Sequence, residues 1–289
     1  MSEEARPDIR QYSAAQLQSL MQEWGEKPFR GKQIYEWLWA KGARSFPAMS
    51  NLSKTLRDQL DAQFGIYPVT TMQEFQSKDG TVKLGFQLHD GHFVEGVLIP
   101  SKGRYTACIS SQVGCSLSCK FCATGTIDLK RNIKAGEIYD QAYLINEACK
   151  RIYGAPLTNI VYMGMGEPLL NFKEVTNSIR LITSDQGMGL SPKRITVSTV
   201  GIAKMIKKLA DEQLRINFAL SLHVAIEEKR QQVMPITLSN TIPDLKAAVQ
   251  YFYEQTGVAV TYEYTLLRGF NDGLEDAREL AAFCKATPC

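Results

Sequence analysis

Beyond Arg104 the sequence alternates repeatedly between short apolar runs and longer stretches of helical period. The runs are YTACISSQV (105–113), NIVYMGMG (159–166), RITVSTVG (194–201), INFALSLH (216–223) and VAVTYEYTLL (258–267). Between them lie amphipathic stretches such as AGEIYDQAYLINEACKRIYG and IPDLKAAVQYFYEQTG. Near-continuous apolar strands separated by helices dictate a parallel sheet covered by helices, because parallel strands need a crossover and are buried on both faces. Ligands of such sheets and barrels gather at the C-terminal ends of the strands. The short polar pieces that close each run therefore share one location.

The N-terminal part reads differently. SAAQLQSLMQEWG (13–25), RGKQIYEWLWAKG (30–42) and SNLSKTLRDQLDAQFG (50–65) have apolar residues at helical spacing, with Ser50 or Asn51 as the expected N-cap of the third helix. From Tyr67 to Pro100 the period becomes two. TVKLGFQL alternates, and the Asp-Gly pairs in SKDGT and HDGHF signal turns of a small antiparallel meander. Asp272 and Glu275 have capping-box spacing for a last helix.

The chain has 289 residues and a net charge of +3, which says little about partners. The distribution says more: Lys27, Arg30, Lys32, Lys41, Arg44, Lys54 and Arg57 lie close in sequence, with Phe29, Tyr35, Trp37, Trp39 and Phe46 among them. Such a stretch suits nucleic-acid contact, and equally a solvated helical face over an aromatic core. No apolar run approaches the roughly 18–20 residues of a membrane span, and the charged start lacks a secretory signal core. A cytoplasmic protein is expected.

Seven cysteines, with Cys115, Cys119 and Cys122 in the loop GCSLSCKFC, point in a reducing compartment to metal or thiol chemistry. A structural zinc site needs four ligands, and His89, His92 and His223 are distant in sequence and lack zinc-ribbon spacing. A [4Fe-4S] cluster held by three cysteines leaves one iron open to a small molecule. The C-x3-C-x2-C loop after a strand resembles that of the radical S-adenosylmethionine (SAM) superfamily.

More of the chain narrows the resemblance. CISSQVGCSLSCKFCATG, MGMGEPLLN, ITVSTVG, ALSLH, MPI, KPFRGKQIYEWLW and MSNLSKTLR together resemble the RlmN/Cfr family of rRNA methylases, from about Lys27 onward and closest to its adenine-C2 branch. The fold this implies is α/β: a partial (β/α) TIM-type radical SAM barrel (102–289), preceded by a helical accessory module that contacts RNA (1–66) and a β meander or linker (67–101).

The implied cofactors are a [4Fe-4S] cluster on Cys115, Cys119 and Cys122, and SAM held by Gly166, Glu167, Ser198, Ser221, Leu222 and His223. The implied partners are 23S rRNA at the peptidyl transferase centre, tRNA anticodon loops and a flavodoxin or ferredoxin as reductant. The enzyme is expected to be a monomer with no membrane association. Members methylate electron-poor adenine C2 through a methylated cysteine. One SAM methylates that cysteine and a second SAM generates the radical. Glu95 matches the proton acceptor and Cys108 the cysteine that resolves the protein–RNA link by disulfide formation. With Phe93, Val97 and Ile99 around it, Glu95 is expected in apolar surroundings that raise its pKa.

Cys149 and Cys284 fall within amphipathic stretches and read as core residues. Cys289, in CKATPC, does not match the family's methyl-carrying cysteine. By the resemblance the chain stops before the last barrel strand, a SAM-contacting asparagine and that cysteine. A core cut there is expected to assemble a cluster and cleave SAM slowly without methylating RNA. Two alternatives stand beside this reading: methylation at adenine C8, and a non-catalytic, metal-stabilised RNA-binding module.

Overall fold

The computed structural model describes residues 6–289; residues 1–5, the start of the expected helical module, lie outside the described residues. Three helices open the chain: α1 (Ala14–Glu23), α2 (Phe29–Trp39) and α3 (Lys54–Gln63). Ser13 and Gln16 close a reciprocal capping box on α1. The apolar faces bury Leu17, Met21, Ile34, Leu38, Leu56 and Leu60. The N-cap of α3 is Ser53, whose hydroxyl accepts from the Leu56 amide. Asn51, an expected cap, instead turns its side-chain carbonyl to the Trp37 indole N–H. That competing bond moves the helix start.

Eight strands form one sheet in the order β1-β2-β3-β4-β7-β8-β9-β10. The first four, β1 (Thr70–Gln76), β2 (Val82–Gln87), β3 (Phe93–Ser101) and β4 (Arg104–Cys108), are antiparallel neighbours. From β4 onward the pairing is parallel, through β7 (Asn159–Tyr162), β8 (Ile195–Thr199), β9 (Asn217–Ser221) and β10 (Val260–Glu263). The meander is therefore an antiparallel extension of the barrel sheet. A two-stranded ribbon, β5 (Gln112–Val113) with β6 (Arg131–Asn132), flanks the cysteine loop.

Helices α4 (Ala135–Tyr153), α5 (Phe172–Thr183), α6 (Ala203–Asp211), α7 (Glu227–Val233), α8 (Ile242–Thr256) and α9 (Leu274–Cys284) follow the parallel strands or link them. The outer face of the sheet meets them: Tyr162 bonds Ser178 of α5 at 2.7 Å, and Phe218 packs on Phe252 of α8. Residues paired across strands share a face. Register thus carries the inner face from Val97 through Cys108, Val161 and Thr196 to Asn217, and from Ser221 to Glu263.

Two expectations shift. The run 105–113 is not one strand: β4 ends at Cys108 because the buried Gln141 of α4 captures both backbone groups of Ser110, at 2.9 and 3.1 Å. The last helix is capped by the Gly273 amide on Asp276 at 3.2 Å, whereas Asp272 accepts from the Gly269 amide and closes the preceding turn.

The helical module is fastened to α4. Tyr139 donates to the Trp39 carbonyl at 2.6 Å, and buried Arg10 pairs with Asp140 at 2.7 Å. The other end of the sheet is β10, whose Val260 amide donates to the Pro288 carbonyl, while Tyr262 packs on Phe283.

Candidate functional site

The cysteine loop hangs on backbone hydrogen bonds rather than on regular structure. Cys115 donates to Ile127, Cys122 to Cys119 and Gly125 to Cys122, each at 3.0–3.1 Å. Lys120 N–H donates to the Val233 carbonyl at the end of α7, which ties the loop to the far side of the barrel mouth. Cys115 is half-buried, Cys119 buried and Cys122 exposed.

All three cysteines line one cleft of about 260 Å³ together with Gly166, Glu167, Ser198, Ser221 and His223. The structure thus brings together eight of the eleven candidate residues. Leu222 is fully buried and does not line the cleft. Cys108 and Glu95 do not line it either; they stand on the inner face of β4 and β3, to one side.

Burial raises the Cys119 thiol to about 11, with Cys115 and Cys122 adding to it, and the nearby Arg230 charge opposes them. Burial also raises Cys115, and Cys122 adds to that rise. The three thiols are thus within electrostatic reach of one another and need a cation to ionise together. Among the described residues, no three His, Cys, Asp or Glu side chains converge tightly enough to hold a single metal ion. A multi-iron cluster spreads its thiolates more widely than one ion does, and three thiols around an open cleft fit that donor set.

Glycines make the opposite wall. A Cβ on Gly164 would lie 2.7 Å from the Ile109 backbone, and one on Gly166, whose φ is +91°, would lie 2.4 Å from Gln112 Cβ. Only glycine lets the segment after β7 lie against the segment after β4. Glu167 follows, buried in the cleft wall. Its carboxylate accepts from the Leu169 and Val200 amides, both at 2.9 Å, while Gln112 Oε1 accepts from its own amide at 2.8 Å. Burial raises its pKa, and the Val200 and Leu169 amides oppose the rise by favouring the charged form.

The Ser198 and Ser221 hydroxyls meet at 3.1 Å across neighbouring strands. His223, at a left-handed φ of +55°, packs edge-on to Phe121 of the cysteine loop. Its Nδ1 accepts from the Thr265 amide at 3.2 Å, which leaves the proton of the neutral ring on Nε2. Burial, and secondarily Arg230, lower its pKa to about 4, so the ring is neutral at pH 7.

Glu95 departs from expectation. It is exposed, with Lys83 Nζ at 2.6 Å, rather than enclosed by the apolar side chains of its strand. Alternation places Phe93, Val97 and Ile99 on its face, but the helices cover the other face. Cys108 is largely buried; burial raises its thiol to about 11, against the Met163 backbone amide, which favours the thiolate. Of the remaining cysteines, Cys149 is core as expected, Cys284 is half-buried and Cys289 exposed. All seven are free thiols.

Several site residues had no sequence signal. Gln112, Gln141, Asn171, Arg230 and Asn271 are buried polar groups that bond backbone from distant segments, and nothing local marks them. Glu263 lines the cleft from β10, and its alternation with Thr261 was the one available hint.

A parallel β/α sheet carrying three cysteines, a Gly-Glu turn and strand-end hydroxyls around one cleft defines the radical SAM class. Residues 109–284 match the model of the radical SAM superfamily, and residues 8–66 match the ribosomal RNA large subunit methyltransferase N-terminal domain. The chain is 55% identical over 281 residues to a probable dual-specificity RNA methyltransferase RlmN of Cytophaga hutchinsonii, covering 97% of this chain and 77% of that one. A protein of the same name from Flavobacterium psychrophilum is 51% identical, with 98% and 82% covered. The crystal structure of a radical SAM methyltransferase from Sphaerobacter thermophilus superposes with a TM-score of 0.90 at 37% identity, over 98% of this chain and 83% of that one. The chain belongs to the radical SAM superfamily and, within it, to the RlmN family of RNA methyltransferases.

Proposed function

We propose that this chain carries the cluster- and SAM-binding chemistry of an enzyme that methylates C2 of adenosine in 23S rRNA and in tRNA. The observation that carries the reading is the single cleft at the strand ends, where Cys115, Cys119 and Cys122 face Glu167 across glycine-permitted backbone contacts. Cys115, Cys119 and Cys122 would hold a [4Fe-4S] cluster, and Gly166, Glu167, Ser198, Ser221 and His223 would hold SAM. Bound there, the two supply one-electron chemistry able to functionalise an electron-poor ring carbon that is a poor nucleophile.

The chain's own groups have separable tasks. The Glu167 carboxylate, fixed by two amides, receives an ammonium group in a charge-assisted bond. The paired Ser198 and Ser221 hydroxyls suit a ribose. His223 offers an Nε2–H donor that stays neutral near pH 7. Leu222 acts through its backbone and buried packing. We assign Glu95 as the base that receives the C2 proton, with Lys83 Nζ beside it as its ion-pair partner. We assign Cys108 as the resolving thiol, kept protonated by burial until it is needed.

In this reading residues 1–66 are the RNA-contacting module, 67–101 the antiparallel extension and 102–289 the catalytic core. A flavodoxin or ferredoxin delivers the electron to a monomeric, cytoplasmic enzyme. No helix among the described residues is long and apolar enough to cross a membrane.

Nucleoside mass spectrometry of rRNA and tRNA from hosts with and without the gene tests the product. 2-Methyladenosine that appears only with the gene is expected; 8-methyladenosine alone would overturn the C2 assignment. Anaerobic reconstitution of the chain with iron and sulfide should yield a [4Fe-4S] spectrum that SAM perturbs. A tight stoichiometric zinc site without SAM response would overturn the cofactor assignment.

A further inference from the structure

Arg230 on α7 is fully buried, and every acceptor of its guanidinium is neutral. Nε donates to the Leu222 carbonyl at 3.1 Å, Nη1 to the Thr237 hydroxyl at 2.6 Å and Nη2 to the Val200 carbonyl. The ion pair of this helix joins the preceding residue, Lys229, to Asp276 and leaves Arg230 out. The Glu227 carboxylate, one turn away, accepts from the Ile242 amide and Gln231 instead. A buried cation hydrogen-bonded only to neutral groups is costly, and it stays buried where something compensates it.

The nearest candidate is the cysteine loop. Arg230 lies one turn before Val233 on α7. The loop is itself bonded to the end of the same helix through Lys120 and Val233. The hydrogen-bond partners of Arg230 lead to the rest of the cleft as well. Val200, whose carbonyl it holds, donates its amide to Glu167, and Leu222 precedes His223, whose ring rests on Phe121.

We propose that Arg230 is the buried counter-charge of the thiolate-bound cluster, a positioning residue that offsets the negative charge at Cys119 and raises the cluster's reduction potential. On reduction, one electron from the donor adds one negative charge to the cluster, so a fixed cation stabilises the reduced form more than the oxidised one. Its three hydrogen bonds also brace the strand ends that face SAM. The inference rests on the cluster reading above.

The test is an EPR-monitored redox titration of the reconstituted chain beside Arg230→Lys and Arg230→Met. Removing the charge in Arg230→Met should move the midpoint to lower potential, while Arg230→Lys should stay close to wild type. A bracing role alone would instead weaken SAM binding in both variants and leave both midpoints in place. Arg230→Gln, neutral but able to hydrogen-bond, is the second charge-free variant and should match Arg230→Met. Equal midpoints in the wild type and a folded neutral variant of equal iron content would overturn the inference. So would failure of both neutral variants to fold, since bracing would then be the dominant role. If the wild-type chain itself bound no cluster, the cofactor reading would fail instead.

Discussion

The helical module and the mouth of the barrel handle polar groups in opposite ways. The seventeen buried polar or charged residues among the described ones all lie between Ser110 and Thr287, and the module's one comparably enclosed charge in an ion pair, the Arg10 side chain, sits where the module meets α4. The module's interior is Ile9, Leu17, Met21, Ile34, Leu38, Trp39, Phe46 and their neighbours. Two of its cations act on its own backbone, Arg30 on the Asn51 carbonyl and Arg57 on that of Pro47, while Arg44 reaches the Val69 carbonyl in the following segment. The barrel mouth instead uses buried amides and charges to hold loops. A region that only has to persist can be apolar throughout, whereas one that must present donors and acceptors to a ligand must bury polar groups and satisfy each of them.

The sharpest way to break that comparison is one truncation in each region. Leu60→Ala in the module removes a fully buried side chain and should cost about 2–5 kcal/mol of stability. SAM affinity of the reconstituted chain should not change. Glu167→Ala strands the Leu169 and Val200 amides, at roughly 1–3 kcal/mol each. It should also remove detectable SAM binding. Urea melts and SAM titration on both variants decide the matter. Loss of SAM affinity in Leu60→Ala would show that the regions are coupled and erase the distinction.

An ion network of intermediate size tests whether buried charge in the barrel always serves the ligand. Arg131 on β6 pairs with Asp90, in the β2–β3 turn, and with Glu137 in the first turn of α4, at 2.7 Å for Glu137. Burial alone would raise both carboxylates; the Arg131 bonds outweigh it and hold both below the ordinary range. Depressed carboxylates contribute stability that is fully present above their unfolded pKa near 4. That stability is lost as pH falls toward the folded values. Wild-type stability should therefore fall below about pH 4. Arg131→Met strips buried Glu137 of its guanidinium partner and leaves it the Lys134 amide and His89, a loss of up to about 3–5 kcal/mol near pH 7. Burial is then opposed only by the Lys134 amide and His89, so the pKa of Glu137 rises and the deficit should shrink as pH falls. Denaturation midpoints from pH 7 to 4 check the sign, and a deficit independent of pH would remove charge as the cause. Cluster assembly should be unaffected.

The same contrast governs what could be read from the chain. Helices such as Ala135–Tyr153 and the strand cores of β7 to β9 follow from period and apolar content, because packing of one face sets both. The three cysteines and the Gly-Glu turn were legible because local spacing carries their chemistry. Arg230, Gln141 and Asn271 were not, since each has a partner 30 to 48 residues away and no local pattern encodes a long-range hydrogen bond. The surroundings of Glu95 were misread for a related reason. Alternation puts it on a face with apolar neighbours, but only the sheet order reveals that the helices cover the other face and that Lys83 stands beside it on the next strand.

The smallest expected effect separates the two roles of the module's cations. Arg30 and Arg57 hold backbone carbonyls, so replacing them mixes folding with binding. Lys27 and Lys32 are exposed, and ion pairs of the module such as Lys41–Glu36 and Lys54–Asp58 do not involve them. If this face touches phosphates, Lys27→Gln with Lys32→Gln should weaken RNA binding at low salt. It should also reduce the slope of log affinity against log salt by about 0.7–0.9 for each phosphate no longer neutralised. The melting temperature should stay within error, because exposed lysines contribute little to stability. Arg30→Gln should lower it by removing a bond between α2 and the loop before α3. Filter binding to a tRNA anticodon stem-loop between about 50 and 200 mM salt makes the measurement. An unchanged slope in the double lysine variant would return these residues to a solvated face, and the module would then be an apolar brace on α4, held by Trp39 and Arg10.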